Sequence, residues 1–544
     1  MKKIIILLLA LLLSSELFAN KYKIIKTEIK TNAASLPLFG TTKEQSVERE
    51  IPVDYNQVFE NEKEIFDYIE DYKIRLANVR AFENIQVDYS IKPASDFDWT
   101  SIKTISQDDF EELSQIHDLF FVTLRVELTD SIHVLAMPYI KYNSNTGSSL
   151  KIKMKDTNFL GTLNTMAAEL LFNVEQEDES DKPKYNFEFG FSYDQPYKLD
   201  PFELTWVNDY SISYTIGNSS PEWNAKTGIK AELPFNMVSY IFEFYQYFIK
   251  NFDYAVYSDS LYLAEEGKIS VPFTIYQTKH WGNLVWTPYI SLVHNWDFDR
   301  IDELNTDLSS PTMTAGHSFA ISRVNWKNNF RTGIDLSLAN SFAYNFQRKM
   351  LYPSISFESM LYQEIELFEG KNFNRLGICL DFYYFINFVN TIYKDNPFYQ
   401  NDGSSIGGRL RGIRDNQYYL DPRCGKSTVT TSSFVLNLDF PFHLFSTNFQ
   451  HKVLKYFNFD LQLSPFIDMA LIYNKYTKEW YNPKDGFYSA GLEVLVYPQK
   501  FSSYTVRASV GYDIGRKFLG DYLNMDWREN VSKYEISIGL GLHY

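Results

Sequence analysis

The chain ends Glu535-Ile-Ser-Ile-Gly-Leu-Gly-Leu-His-Tyr544, and the alternation in this stretch decides the fold. Ile536, Ile538, Leu540, Leu542 and the terminal Tyr544 fall on one face of an extended strand, with Glu535, Ser537, Gly539, Gly541 and His543 on the other. Successive side chains of a strand point to opposite faces, so the segment presents one apolar wall and one polar wall. The segment before it obeys the same rule. Val506, Ala508, Val510, Tyr512 and Ile514 take the apolar side, and Arg507, Ser509, Gly511 and Asp513 the polar side. Charges such as Arg507 and Asp513 are costly in a dry core, where an unpaired ion costs on the order of several kcal/mol. A hydrated interior removes that cost.

Period-two segments of this kind, separated by polar turns, run back to about residue 150. Counted from Lys153 they number about sixteen, an even number that leaves both ends of a closed cylinder on one side of a membrane. The expected fold is therefore mainly β: a transmembrane antiparallel β-barrel of about 16 strands over residues 146–544, preceded by a small α+β domain. A soluble β-sandwich or propeller is the competing architecture, but it requires one dry face rather than an apolar band all round. The mean hydropathy of -0.29 does not exclude a membrane, because alternation averages lipid-facing and polar residues together. No internal stretch approaches the ~18 apolar residues that a spanning helix needs.

Lys2 and Lys3, the apolar run Ile4 to Leu13, polar Ser14 to Glu16 and then Ala19 read as an export signal over residues 1–19. A retained anchor is disfavoured by the short run. Residues 20–145 mix both periodicities. Tyr22–Thr31, Ile85–Ile91 and Phe121–Leu128 alternate as strands, and Ile65, Ile69, Leu76 and Val79 recur at helical spacing within Asn61–Arg80. The acidic stretch Lys92–Asp118 receives no assignment.

A net charge of -16 argues against a nucleic-acid partner, whose phosphates demand clustered cations. Two cysteines, Cys379 and Cys424, rule out a disulfide framework or a cysteine metal site. His-Glu-x-x-His and Gly-x-Ser-x-Gly are both absent. Gly425, Lys426 and Ser427 imitate the end of a phosphate loop, but Leu420 stands in place of its first glycine. No enzyme, cofactor or metal site is expected.

Several stretches resemble the BamA/TamA family of outer-membrane barrel proteins, the bacterial surface antigen family. Gly40 to Thr42, the helix residues Val47, Arg49, Glu50 and Ile51, and the helix-to-strand residues Val79, Ala81, Phe82, Ile85 and Val87 resemble a single POTRA module. Ala81 stands where that family usually has glycine. Asp156 to Gly161 resembles the family's first barrel strand. Gly407 to Ile413 resembles the loop motif Val-Arg-Gly-Phe or Val-Arg-Gly-Tyr, keeping Arg411 and Gly412 and departing at Leu410 and Ile413. Its partner, Phe-x-Asp-x-Gly, appears as Phe466, Asp468 and Ala470. In that family the loop folds back into the barrel and its arginine pairs with a carboxylate inside.

The alternation agrees, since it turns Gln462, Ser464, Phe466 and Asp468 inward, and Asp439 on the preceding strand can share the arginine. Arg409, Arg411, Arg414 and Arg423 concentrate in this loop, and the competing reading is a solvated run touching anions outside the cell. Cys379 faces the interior and Cys424 lies on the loop's returning arm. They form either a disulfide tether or two unrelated thiols.

The resemblance implies a periplasmic module and an outer-membrane barrel. Such a barrel inserts or translocates other proteins, without a nucleotide, through a lateral seam between its first and last strands. Gly161, Gly539, Gly541 and Tyr544 are the candidate seam residues. The expected partners are outer-membrane or secreted client proteins and the lipid bilayer, with periplasmic chaperones or lipoproteins as further candidates. The alternatives are a two-partner-secretion-type translocator, a passive porin or surface receptor, and a structural surface antigen.

Overall fold

The computed structural model describes residues 20–34, 40–97, 119–143, 147–175, 184–235, 237–250, 261–278, 281–296, 309–368, 374–393, 403–413, 428–451, 454–501, 504–515 and 534–540. The expected export signal and most of the acidic stretch lie outside these residues. The chain divides into two units. One runs to Val134 and takes in Thr157–Leu163 and Lys500–Ser503; the other holds the remainder.

In the first unit, β1 (Lys21–Asn32) pairs with the short β2 (Val58–Phe59) on one side and, in parallel, with β4 (Leu119–Asp130) on the other. β3 (Phe82–Pro93) pairs antiparallel to β4. Helix α1 (Glu44–Glu50) precedes β2, and α2 (Glu62–Asn78) follows it. Asn61 caps α2 by accepting from the Glu64 backbone N–H at 3.0 Å. The apolar stripe of α2 is Ile65, Ile69, Tyr72 and Leu76, all buried with Ile24, Val122, Leu124 and Leu128 of the sheet. The unit also holds a buried polar cluster. Thr42 donates from its backbone N and Oγ1 to the two Asp130 oxygens at 2.8 and 2.6 Å, and Asn158 Nδ2 donates to Thr42 Oγ1 at 2.7 Å.

The second unit is a closed antiparallel barrel. It begins with β5 (Val134–Asn143), β6 (Gly147–Asp156) and β7 (Met166–Glu175). Next come β8 (Lys184–Tyr193, continued by Gln195–Leu199), β9 (Phe202–Thr215), β10 (Glu222–Pro234) and β11 (Ser239–Lys250). The wall continues with β12 (Leu261–Ser270, continued by Phe273–Thr278), β13 (Gly282–Asn295), β14 (Thr312–Lys327), β15 (Phe330–Asn345) and β16 (Met350–Glu366). It finishes with β17 (Arg375–Asn387), β18 (Ser432–Asp439, continued by Phe442–Ser446), β19 (Phe459–Asn474), β20 (Phe487–Pro498), β21 (Val506–Asp513) and β22 (Tyr534–Leu540).

β14 and β15 are in register from Thr312↔Asn345 to Lys327↔Phe330. The two residues joining them, Asn328 and Asn329, have φ of 51° and 62°, the left-handed turn that matches strand twist. The outward faces are predominantly apolar, carrying Phe187, Phe189, Ile229, Phe244, Leu338, Phe342, Ile536 and Ile538, all exposed. An apolar surface of that extent suits lipid rather than water.

The expected mainly β barrel is what the structure shows; its wall has eighteen strands among the described residues, counting interrupted strands once and leaving out the two-residue pairing at Glu479–Trp480, against the sixteen or so counted from the sequence. The boundary falls at Val134 rather than at residue 145, because β5 closes the barrel against β22. The segment holding β5 has short alternation and strong flanking polarity, so its pairing with a strand four hundred residues away is invisible locally.

Gly161 is likewise not a strand residue. It lies in a 3-10 turn with φ +73°, where a Cβ would come within 2.1 Å of the Thr41 carbonyl oxygen, and it belongs to the first unit.

Among the described residues the Tyr72 hydroxyl is buried with no hydrogen-bond partner, and burial pushes its ionisation far above the ordinary tyrosine range. An unsatisfied buried hydroxyl costs about 1–3 kcal/mol, so Tyr72→Phe stabilises the first unit or leaves it unchanged. Limited proteolysis of the full-length protein in increasing urea checks this; faster cleavage of the variant contradicts it.

Candidate functional site

Residues 403–413 leave the end of β17 and return through 428–431 to β18. The two arms pair at Ser404↔Thr430 and Ser405↔Val429. Ile406, Leu410 and Ile413 pack into a buried cluster with Phe385, Val435, Ala470, Ile472 and Phe487 from the inner faces of β17 to β20. Leu410, Ile413 and Ala470, the three positions that depart from the expected loop and strand motifs, all lie in this one cluster.

Arg411 sits at its centre with 5% of its side chain exposed. Nε and Nη2 donate to the two Asp468 oxygens at 3.0 and 2.6 Å. Nη1 and Nη2 donate to the two Asp439 oxygens at 2.6 and 3.1 Å, and Nη1 also reaches Glu493 Oε2 at 3.2 Å. The backbone N–H of Arg411 adds a bond to Asp468 Oδ2 at 2.9 Å. A guanidinium has five N–H donors in a flat fork, and here each has a carboxylate acceptor. The Phe466 ring lies under the cation, 3.7 Å from Cζ to its centroid. Asp439, Asp468 and Glu493 come from three adjacent strands, β18, β19 and β20, whose alternation turns these positions inward.

Arg409 makes a second anchor on the other side. Nη1 donates to Glu358 Oε1 of β16 at 2.8 Å and lies 3.9 Å from Asp381 of β17, while its guanidinium stacks 3.7 Å from the Tyr383 ring. Asn437 Nδ2 donates to the Arg409 carbonyl at 2.8 Å. Gly412, at φ +77°, donates its backbone N–H to Glu535 Oε2 of β22 at 3.2 Å.

The structure thus brings Leu410, Arg411, Gly412, Ile413, Asp439, Phe466 and Asp468 into one site. Glu493, Glu358 and Glu535 escaped the sequence reading, although Glu493 left a signal: it is the lone charge in the otherwise apolar strand Phe487–Pro498. The hydrated interior expected from the inward charges does not extend to Asp468. Asp468 is fully buried, because the apolar residues of the loop fill this side of the interior.

The opposite wall is polar. There Lys268 Nζ pairs with Glu243 at 3.0 Å, Tyr245 donates to Glu243 and Tyr247 to Glu266, each at 2.8 Å, and Lys226 lies over the Tyr245 ring. Cys379 is buried on the inner face of β17, whereas Cys424, Arg414 and Arg423 lie outside the described residues, as do Gly541 and Tyr544. Gly539 lies on β22 opposite Arg507. Among the described residues no group of three or more His, Cys, Asp or Glu side chains is arranged to hold a metal ion.

No protein-family model and no curated protein matches the chain. Solved structures do. CdiB from Acinetobacter baumannii is similar at 11% identity and a TM-score of 0.44, over 95% of this chain and 73% of that one. BamA from Haemophilus ducreyi lacking POTRA domains 1-3 is similar at 12% identity and a TM-score of 0.35, over 95% and 85%. CdiB from Escherichia coli is similar at 9% identity and a TM-score of 0.38, over 96% and 90%.

Removing Arg411 strands three buried carboxylates, and breaking a buried pair costs about 3–5 kcal/mol. Arg411→Ala and Arg411→Lys both lower the temperature at which the barrel loses its heat-modifiable electrophoretic mobility, because lysine keeps the charge but lacks the fork. Wild-type behaviour of Arg411→Lys contradicts the assignment of five donors to three carboxylates.

Proposed function

We propose that the chain is an outer-membrane barrel that inserts or translocates other polypeptides, without a nucleotide, through a lateral seam between β5 and β22. The observation that carries this reading is the contrast in pairing on the two edges of β22. Among the described residues it registers with β5 at Ile536↔Tyr142 and Ser537↔Lys141, but with β21 along the whole run from Tyr512↔Tyr534 to Val506↔Leu540. A strand held along one edge and lightly along the other offers N–H and C=O groups to an incoming client strand, the mode of β-augmentation. Gly539 supports this, because glycine packs little and weakens a strand.

The loop supplies the second element. Its anchors lie on β16 to β20 and on β22, so it holds the wall on one side of the closure in a fixed register. The clients are outer-membrane or secreted polypeptides able to add a strand, and the bilayer receives the product. The amino-terminal unit, read as a periplasmic POTRA-like module, meets the client first.

A two-partner-secretion-type translocator is the second reading, and the polar inner wall of Lys226, Glu243, Tyr245, Glu266 and Lys268 favours it. Depletion of the protein followed by a census of outer-membrane and secreted proteins separates the two. Broad loss of barrel proteins supports insertion, loss of one exoprotein supports secretion, and an unchanged census rejects both. Complementation with Arg411→Ala or Asp468→Ala leaves client levels depressed; full complementation by both removes the loop from the mechanism.

A further inference from the structure

The loop tip meets the last two strands in a way that the arginine anchors do not explain. Gly511 of β21 and Glu535 of β22 are cross-strand partners on the inner face. A Cβ on Gly412 would lie 2.6 Å from the Gly511 carbonyl carbon and 2.8 Å from the Tyr512 backbone N. A Cβ on Gly511 would lie 2.7 Å from the Gly412 N and 3.0 Å from the Arg411 carbonyl carbon. Backbone rests directly on backbone here, a separation that only a pair of glycines permits, and the φ of +77° at Gly412 is a conformation that glycine adopts freely. This approach places the Gly412 N–H 3.2 Å from Glu535 Oε2. Glu535 is adjacent in sequence to Ile536 and Ser537, the residues through which β22 registers with β5.

We propose that Gly511 and Glu535 form a notch that seats the loop tip, and that Glu535 is the positioning residue through which the seated loop holds β22 closed. This rests on the lateral-seam reading and adds its regulation. Gly511 is open because its side chain is absent, and Glu535 beside it captures the backbone N–H that the open position admits. When the loop shifts by more than a hydrogen-bond length, the notch empties and β22 loses its inward tether one residue from the seam. Arg411 sets where the loop lies, and the notch transmits that position to the closing strand.

Hydrogen–deuterium exchange on the full-length protein in detergent micelles reads this, because amide exchange tracks the population of the locally opened state. Loss of a hydrogen bond to a charged group predicts that Glu535→Ala and Gly511→Ala speed exchange of the 534–540 peptide by about tenfold. Exchange across the β14–β15 hairpin, 312–345, stays unchanged. Glu535→Gln keeps a carbonyl acceptor and stays within about threefold of wild type. If Arg411→Ala speeds exchange at 534–540 but neither Glu535→Ala nor Gly511→Ala does, the notch is overturned and the seam stands. Should wild-type 534–540 exchange as slowly as 312–345, the seam reading itself fails. Equal acceleration at both peptides in the notch variants marks general destabilisation and also overturns the proposal.

Discussion

A guanidinium taken out of water tolerates little compromise, since each N–H left without an acceptor carries its full desolvation cost. Arg411 is buried, and its donors are met by Asp439, Asp468 and Glu493. That single requirement orders much of the barrel. Three neighbouring strands must each turn a carboxylate toward one point, and the loop must enter far enough to bring the cation there. The rest of the loop must then exclude water, which Ile406, Leu410 and Ile413 do against Phe385, Val435 and Phe487.

The interior of the barrel is consequently two-sided. Beneath β17 to β21 it is packed like a soluble core, with Arg411 paired to carboxylates inside it. Under β10 to β13 it is a polar wall of tyrosines, lysines and glutamates that touch one another. Packed cores resist small distortions. The closure between β22 and β5 adjoins the packed side, so the position of the loop bears on the strand that completes the cylinder. A mechanism that opens at the closure needs such an asymmetry, with one edge held and the other released.

Much of this was legible in the sequence, for identifiable reasons. Period-two alternation is a local property, and it placed Phe466 and Asp468 inward and Ile536 and Ile538 outward. The Arg411-Gly412 pair stood out because it resembles the family's loop motif and because four arginines concentrate in that loop. What depended on closure was not legible. The strand Val134–Asn143 is a barrel strand only because β22 comes round to meet it, and Gly161 left the barrel wall because its backbone approaches Thr41. Glu493, Glu358 and Glu535 lie on three separate strands, and although Glu493 stands out as the lone charge of its own strand, nothing in the local sequence says that one loop gathers all three. The dryness around Asp468 is equally non-local, since it comes from loop residues more than fifty positions away.

The central claim is that Arg411 holds the loop inside the barrel, and ion conductance across a planar bilayer measures this most directly. Full-length protein passes little current, and deletion of residues 404–429 yields a steady, larger conductance. Arg411→Ala gives transitions between the two levels as the unanchored loop enters and leaves. Equal conductance in all three proteins would contradict a loop that fills the interior, and a permanently low conductance in Arg411→Ala would contradict the arginine as its anchor.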